Sequence, residues 1–198
     1  MVPEAARAVV LRTWPHPHRI QVGPRDDNSQ VPHPPFDLYR FDTAQAVAGW
    51  RAIDDRVMGG VSRSRLHFNA AGHATFDGEV SLEQNGGFAS VRSAAGPLGA
   101  PGATECVIDA RGDGKRYKMC LFMVDGFDAI SYQTEFTPPR HDWGVNRLPL
   151  TAFAASLRGR QVPHAPALDA AGIRQVGLMI SGRQAGRFAL DIRAIRLE

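Results

Sequence analysis

From His73 to Leu82 apolar and polar side chains alternate without a break. Ala74, Phe76, Gly78, Val80 and Leu82 fall on one side, and His73, Thr75, Asp77, Glu79 and Ser81 on the other. A period of two cannot form a stripe on a helix, but it gives a strand one apolar and one polar face. Strands of that kind belong to antiparallel sheets with one face on a core. The segment before it has the same period, with Ser64, Leu66 and Phe68 opposed to Arg63, Arg65 and His67. Asn69-Ala70-Ala71-Gly72 between them has the composition of a hairpin turn.

Short strands with turn signals continue to the C-terminus. Phe88 to Arg92, Thr104 to Asp109, Tyr117 to Val124, Asp128 to Phe136, Trp143 to Leu150 and Ile173 to Ser181 read as strands. Leu150 to Leu157 reads as one or two helical turns, and Arg158 to Ala171 as a long polar connection. In the last strand Phe188, Leu190 and Ile192 share a phase that Ile195 and Leu197 do not, which predicts a bulge between them. About ten strands with turns every 8–12 residues predict an all-β, antiparallel β-sandwich. We find neither an internal repeat nor a βαβ alternation.

At 198 residues, a single sandwich over residues 36–198 buries a core without needing disulfides or metal. Residues 1–35 carry Pro3, Pro15, Pro17, Pro24, Pro32, Pro34 and Pro35 and read as an extended arm. The arm lacks the apolar run and cleavage site of a secretory signal. Its arginines leave a mitochondrial presequence as the alternative to a bacterial cytoplasmic protein. No apolar run approaches the roughly 18 residues of a membrane span. The net charge of +3 and a lone arginine cluster near the C-terminus fall short of a nucleic-acid interface. Cys106 and Cys120 flank the turn Asp109 to Lys115, where a hairpin would place them opposite one another. Two reduced, buried thiols are the expectation.

Two glycine-rich loops carry the candidate chemistry: Asp54-Asp55-Arg56-Val57-Met58-Gly59-Gly60-Val61-Ser62 and Glu83-Gln84-Asn85-Gly86-Gly87-Phe88. Adjacent strand residues face opposite ways, so Asp54 and Asp55 make a poor catalytic dyad. Either one of them accepts hydrogen bonds from a ligand or partner, or it caps the amides of Met58-Gly59-Gly60, the preferred reading. Ser62 reads as a turn hydroxyl, with no nucleophile motif around it. Met58 is a candidate exposed anchor, whereas Phe88 reads as a core plug. Asn85, Tyr132 and Trp143 complete the candidate ligand-binding set, with Trp50 and Gln133 as further sugar contacts. Gly59, Gly60, Gly86 and Gly87 are expected to shape the loops. His67 and His73 flank the hairpin turn; lacking a third ligand, they are expected on the exposed polar face. No catalytic residue, metal or cofactor is expected.

The order of these motifs resembles the CIA30 family, named for complex I intermediate-associated protein 30. The resemblance rests on Trp50, on Asp55-Arg56-Val57-Met58-Gly59-Gly60-Val61-Ser62, and on Asn85-Gly86-Gly87-Phe88-Ala89-Ser90-Val91-Arg92. Later echoes are Gly112-Asp113-Gly114-Lys115-Arg116-Tyr117, Trp143 with Leu148-Pro149-Leu150 and Phe153, and Gly186-Arg187-Phe188-Ala189-Leu190. The resemblance implies a galactose-binding-like jelly-roll sandwich, similar to some carbohydrate-binding modules. It also implies a non-enzymatic chaperone role in assembling respiratory complex I, with unassembled subunits as partners. A glycan is the alternative ligand.

Overall fold

The computed structural model describes residues 36–126 and 129–198. The proline-rich arm of residues 1–35 lies outside them. Thirteen strands follow in chain order: β1 (Phe36–Arg40), β2 (Arg51–Ala52), β3 (Arg63–Asn69), β4 (His73–Val80), β5 (Ala89–Arg92), β6 (Glu105–Arg111) and β7 (Tyr117–Phe122), then β8 (Ser131–Phe136), β9 (Gly144–Pro149), β10 (Ala154–Leu157), β11 (Arg160–Gln161), β12 (Gln175–Ile180) and β13 (Gly186–Leu197). Single 3-10 turns occupy Ala44–Val47, Asp55–Met58, Glu83–Asn85, Leu150–Ala152 and Ala170–Gly172.

The strands form two antiparallel sheets. One runs β3-β4-β13-β6-β9 with β1 also on β13; the other runs β11-β10-β8-β7-β12-β5-β2. The expected jelly-roll sandwich is the observed architecture. β13 is its longest strand and organises the first sheet. Along one edge it pairs Gly186 to Ile192 with β4 and Ala194 to Leu197 with β1. Its other edge takes β6, with a register shift between Ile192 and Ala194. That shift is the bulge expected from the change of phase, and it keeps Ile192, Ile195 and Leu197 all inside.

Alternation places one face of each strand in the core. Phe76 from β4 and Phe188 from β13 meet edge to face at 4.9 Å, and both contact Tyr117 from β7 across the sandwich. Truncating a fully buried side chain such as Phe76 costs about 3–5 kcal/mol. Gly78, in phase with Phe76, has a reason beyond packing: a β-carbon there would stand 2.0 Å from the Arg63 carbonyl oxygen of β3.

Four expectations change. β6 and β7 do not form a hairpin: they lie in different sheets, and Cys106 and Cys120 are separate, buried free thiols. The segment between Asp109 and Lys115 is therefore a crossover from one sheet to the other. Asp113 pins it, accepting from the Lys115 amide (3.0 Å), the Tyr117 hydroxyl (3.0 Å) and the Ala189 amide (3.0 Å). His73 is not on a solvated face but 3% exposed, edge to face with Trp143 at 5.3 Å. It pairs in register with Asn69, while His67 pairs with Thr75, so the two histidines are not opposite. Leu150 to Leu157 is one 3-10 turn followed by strand β10, and the polar connection after it holds β11.

Candidate functional site

The loop from Asp54 to Ser62 leaves β2 as a 3-10 turn that ends at Gly59, whose φ of 91° gives the left-handed exit. Both carboxylates turn inward and are buried, Asp54 at 8% exposure and Asp55 at 1%. Asp55 ties the two glycine-rich loops together. Oδ1 accepts from the Ser62 amide (2.9 Å), and Oδ2 accepts from Ser62 Oγ (2.6 Å), the Gly87 amide (2.7 Å) and, at 3.4 Å, the Phe88 amide. Asp54 ties β3 to β5. It accepts from the Ser64 amide (2.9 Å), Ser64 Oγ (2.6 Å) and the Ser90 amide (3.0 Å). Ser90 Oγ in turn donates to the Ile53 carbonyl.

The amides these carboxylates cap are therefore not those of Met58-Gly59-Gly60 but those of Ser62, Ser64, Gly87 and Ser90. Backbone capping is the right chemistry, but its partners lie up to 36 residues away. Two of the glycines make the room. A β-carbon on Gly60 would sit 2.3 Å from Asp55 Oδ1, and one on Gly86 would sit 2.6 Å from Oδ2. Burial pushes the Asp55 carboxyl pKa up, but the bonds from Ser62, Gly87 and Phe88 outweigh it, so the pKa lies below the ordinary aspartate value. Four donors converging on one buried carboxylate favour its ionised form.

With its carboxylates and Ser62 turned inward, the loop presents apolar side chains outward. Val57 and Met58 are 55% and 63% exposed. They edge a groove of about 850 Å³ that crosses the outer face of the second sheet, from β5 and β12 through β7 and β8 to β10 and β11. Phe88 and Met179 join Val57 and Met58 at that end, and Leu157 lies at the other. Between them the lining is polar and charged, with Arg92, Lys118, Gln133 and Glu135. The register aligns Ser90, Met179, Lys118 and Glu135 across four strands.

The remaining candidates are dispersed. Phe88 is half-buried and lines the groove. Asn85 is exposed with φ of 59° on the second loop. Tyr132 is buried, its hydroxyl donating to the Pro166 carbonyl at 2.8 Å. Trp50 is core, packed with Tyr39 and Phe41. Trp143 precedes edge strand β9 of the first sheet, where it covers His73 and carries Arg193 on its ring at 3.9 Å. Of the groove residues, sequence reasoning singled out Met58, Phe88 and Gln133 and missed Val57, Arg92, Lys118, Glu135, Leu157 and Met179. The alternation around Arg92 and Lys118 marks them as outward-facing, but only strand order brings them side by side.

Comparison with known proteins places the chain in a family. The sequence profile of complex I intermediate-associated protein 30 (CIA30) matches residues 39–192. The chain belongs to the CIA30 family. An uncharacterised protein of Schizosaccharomyces pombe is 30% identical over 169 residues, which cover 74% of this chain and 76% of that protein. In fold, the CIA30 domain resembles a family 11 carbohydrate-binding module from Clostridium thermocellum, solved with a β-1,3-1,4-mixed-linked tetrasaccharide. The TM-score is 0.59 and the identity 16%, over 82% of this chain and 94% of that one. An agarase is similar with a TM-score of 0.53 and 11% identity, over 83% of this chain and 24% of the enzyme. Both likenesses are of fold. Among the described residues no helix is long and apolar enough to cross a membrane.

Proposed function

We propose that this CIA30 domain is a non-enzymatic interaction module that holds unassembled subunits during assembly of respiratory complex I. The observation that carries the reading is the groove: an open surface with an exposed Val57-Met58 edge, held by a loop whose two carboxylates are both engaged internally. A protein that grips incompletely assembled partners needs apolar side chains on a rigid support, and methionine suits varied partners. Family membership supplies the link to complex I. In this reading the protein works in a bacterial cytoplasm or a mitochondrial matrix.

The same geometry argues against chemistry at this site. A carboxylate saturated with donors is a weak base. The thiols of Cys106 and Cys120 are pushed up to about 12 by burial, which leaves almost no thiolate near neutral pH. His73 is sealed beneath Trp143. The alternative, a carbohydrate-binding module, draws on the shared fold. Among the described residues Phe88 is the one aromatic side chain lining the groove, a thin platform for stacking sugar rings.

The test is affinity purification of the tagged full-length protein from its native host, with a deletion strain beside it. Complex I subunits should co-purify, and NADH:ubiquinone oxidoreductase activity should fall in the deletion. Recovery of no complex I subunit, together with normal enzyme in the deletion strain, would refute the assembly role.

A further inference from the structure

Arg92 lies on β5, at the same end of the groove as Val57 and Met58, and is half-buried. Its guanidinium stacks on the Phe122 ring at 3.9 Å, and one nitrogen donates to the Gly126 carbonyl at 3.1 Å. Neither partner is an anion. Asp125, the residue before that carbonyl, is already held by both Nε (2.8 Å) and a terminal nitrogen (3.0 Å) of Arg174. Burial accordingly draws the Arg92 pKa down from the ordinary arginine value. A cation taken partly out of water without a counter-charge is costly, and ligand sites are where such costs persist.

The neighbours deepen the imbalance. Arg51 on β2 is directly opposite Arg92 in the antiparallel register, an arrangement of like charges that costs stability. Arg51 is exposed and has no carboxylate partner among the described residues. Lys118 lies two strands away, across β12. Among the described residues Glu135 is the one carboxylate lining the groove, and it is shared between Lys118 at 3.8 Å and Arg116 at 3.4 Å. The β5 end of the groove thus holds a half-buried guanidinium with no carboxylate partner among the described residues, beside the exposed Val57 and Met58.

The dimensions suit a polypeptide. From β5 to β10 the groove crosses four inter-strand spacings, about 19 Å at roughly 4.8 Å each. An extended chain rising about 3.3 Å per residue covers that in about six residues. We propose that the groove takes an extended acidic segment of a partner polypeptide, about six residues long. The side-chain carboxylate of an aspartate or glutamate sits on Arg92, and an apolar side chain packs against Val57 and Met58. Arginine suits this role because its planar fork grips a carboxylate with two parallel bonds. The inference rests on reading the groove as a binding surface and adds what kind of segment fills it.

The experiment is selection of phage-displayed random octapeptides on the full-length protein, followed by fluorescence anisotropy with the strongest synthetic peptide. Selected sequences should carry Asp or Glu a few residues from Leu, Met, Ile or Phe. Arg92→Gln should weaken that peptide at least tenfold, and replacing its acidic residues by amides should do the same. The two changes together should cost little more than either alone. Arg51→Gln, at an exposed position, relieves the like-charge pair, so it should weaken binding two- to fivefold with a melting temperature no lower than wild type. Selection without acidic residues, no selection at all, or equal binding by Arg92→Gln would overturn the proposal. So would Arg92-dependent binding of oligogalacturonate or the mixed-linked tetrasaccharide in place of peptide. The assembly role fails separately. If wild type and Arg92→Gln capture complex I subunits equally, the carboxylate grip is wrong and the role stands. If neither captures them, the role falls, and the peptide selection still decides the groove.

Discussion

Replacing Asp55 by Asn changes one atom for its near-isostere and should cost much of the domain's stability. Each carboxylate oxygen faces a backbone N–H, Ser62 on Oδ1 and Gly87 on Oδ2. An amide has one oxygen, so in either orientation its NH2 points at a donor and one buried N–H is left without an acceptor. Ser62 Oγ, which receives only the Ser81 amide at 3.0 Å, can rotate and accept one amide N–H, but the backbone N–H of Ser62 or Gly87 has no such freedom. Losing a charge-assisted bond costs about 1.5–3 kcal/mol and orphaning a buried amide about 1–3 kcal/mol, with overlap between the two. A net loss of about 2–4 kcal/mol follows. With a urea m-value of about 2–3 kcal/mol/M, the midpoint should fall by roughly 0.7–2 M at unchanged m. The cost should depend on pH. Because the folded-state pKa lies below the ordinary value, the carboxylate's contribution is present above the unfolded pKa of about 3.9 and is lost as pH falls through the folded pKa. The gap between wild type and Asp55→Asn should therefore be full at pH 7 and narrow below about pH 4. A midpoint shift worth less than about 1 kcal/mol at pH 7, or loss of partner binding by a variant of unchanged stability, would refute the reasoning. The second outcome would make Asp55 a binding residue.

Three further outcomes follow from the same geometry. Gly60→Ala and Gly86→Ala each drive a methyl group into the Asp55 carboxylate and should destabilise by about 2–3 kcal/mol in urea melts, whereas Gly72→Ala, with nothing within 4 Å of its β-carbon, should lose only what its φ of 82° costs, about 1 kcal/mol. Trp143→Ala should lower stability by about 2–3 kcal/mol through exposure of His73 and loss of the Arg193 stack, yet leave every ligand of the groove bound as before, because Trp143 belongs to the other sheet. Cys106 and Cys120 should resist iodoacetamide at pH 8 in the native protein and react on unfolding, and rapid native labelling would contradict both their burial and a pKa of about 12.

How far the sequence discloses this molecule depends on the range of the contact. Alternation and turns are local, so β3, β4 and their hairpin, and even the bulge in β13, are legible from the order of residues. Pairing is not local. Cys106 and Cys120 sit symmetrically about a turn, yet the Asp109 to Lys115 segment crosses between sheets instead of closing a hairpin, because Asp113 reaches Ala189 on β13. His73 lies on the polar phase of β4 but is roofed by Trp143, 70 residues on in the chain. Capping of Met58-Gly59-Gly60 follows from the local habits of aspartate, but the amides of Gly87 and Ser90, in a loop and strand that only the fold brings near, take that place. The groove was the least legible part. Its lining is drawn from one or two residues on each of several strands, and no stretch of sequence contains it.

The Asp-Asp-Arg-Val-Met-Gly-Gly-Val-Ser loop combines the two levels. Its carboxylates and Ser62 face inward, where Asp54 and Asp55 replace the hydrogen bonds that a regular strand would have supplied between β2, β3, β5 and the second loop. Because those bonds are made to charged acceptors in a buried setting, the loop is held by its own side chains and owes nothing to a ligand. That leaves Val57 and Met58 fixed outward at the groove's edge, where a flexible loop would fold them back onto apolar surface. The Gly-Gly pairs serve the carboxylate, not mobility: both loops close around Asp55 only because Gly60 and Gly86 have no β-carbon. These bonds fix the interior of the loop, while the side chains on its exterior take no part in them. Partner preference in this protein should accordingly follow Val57, Met58 and the cations of the sheet beneath them, and be indifferent to which carboxylate holds the loop.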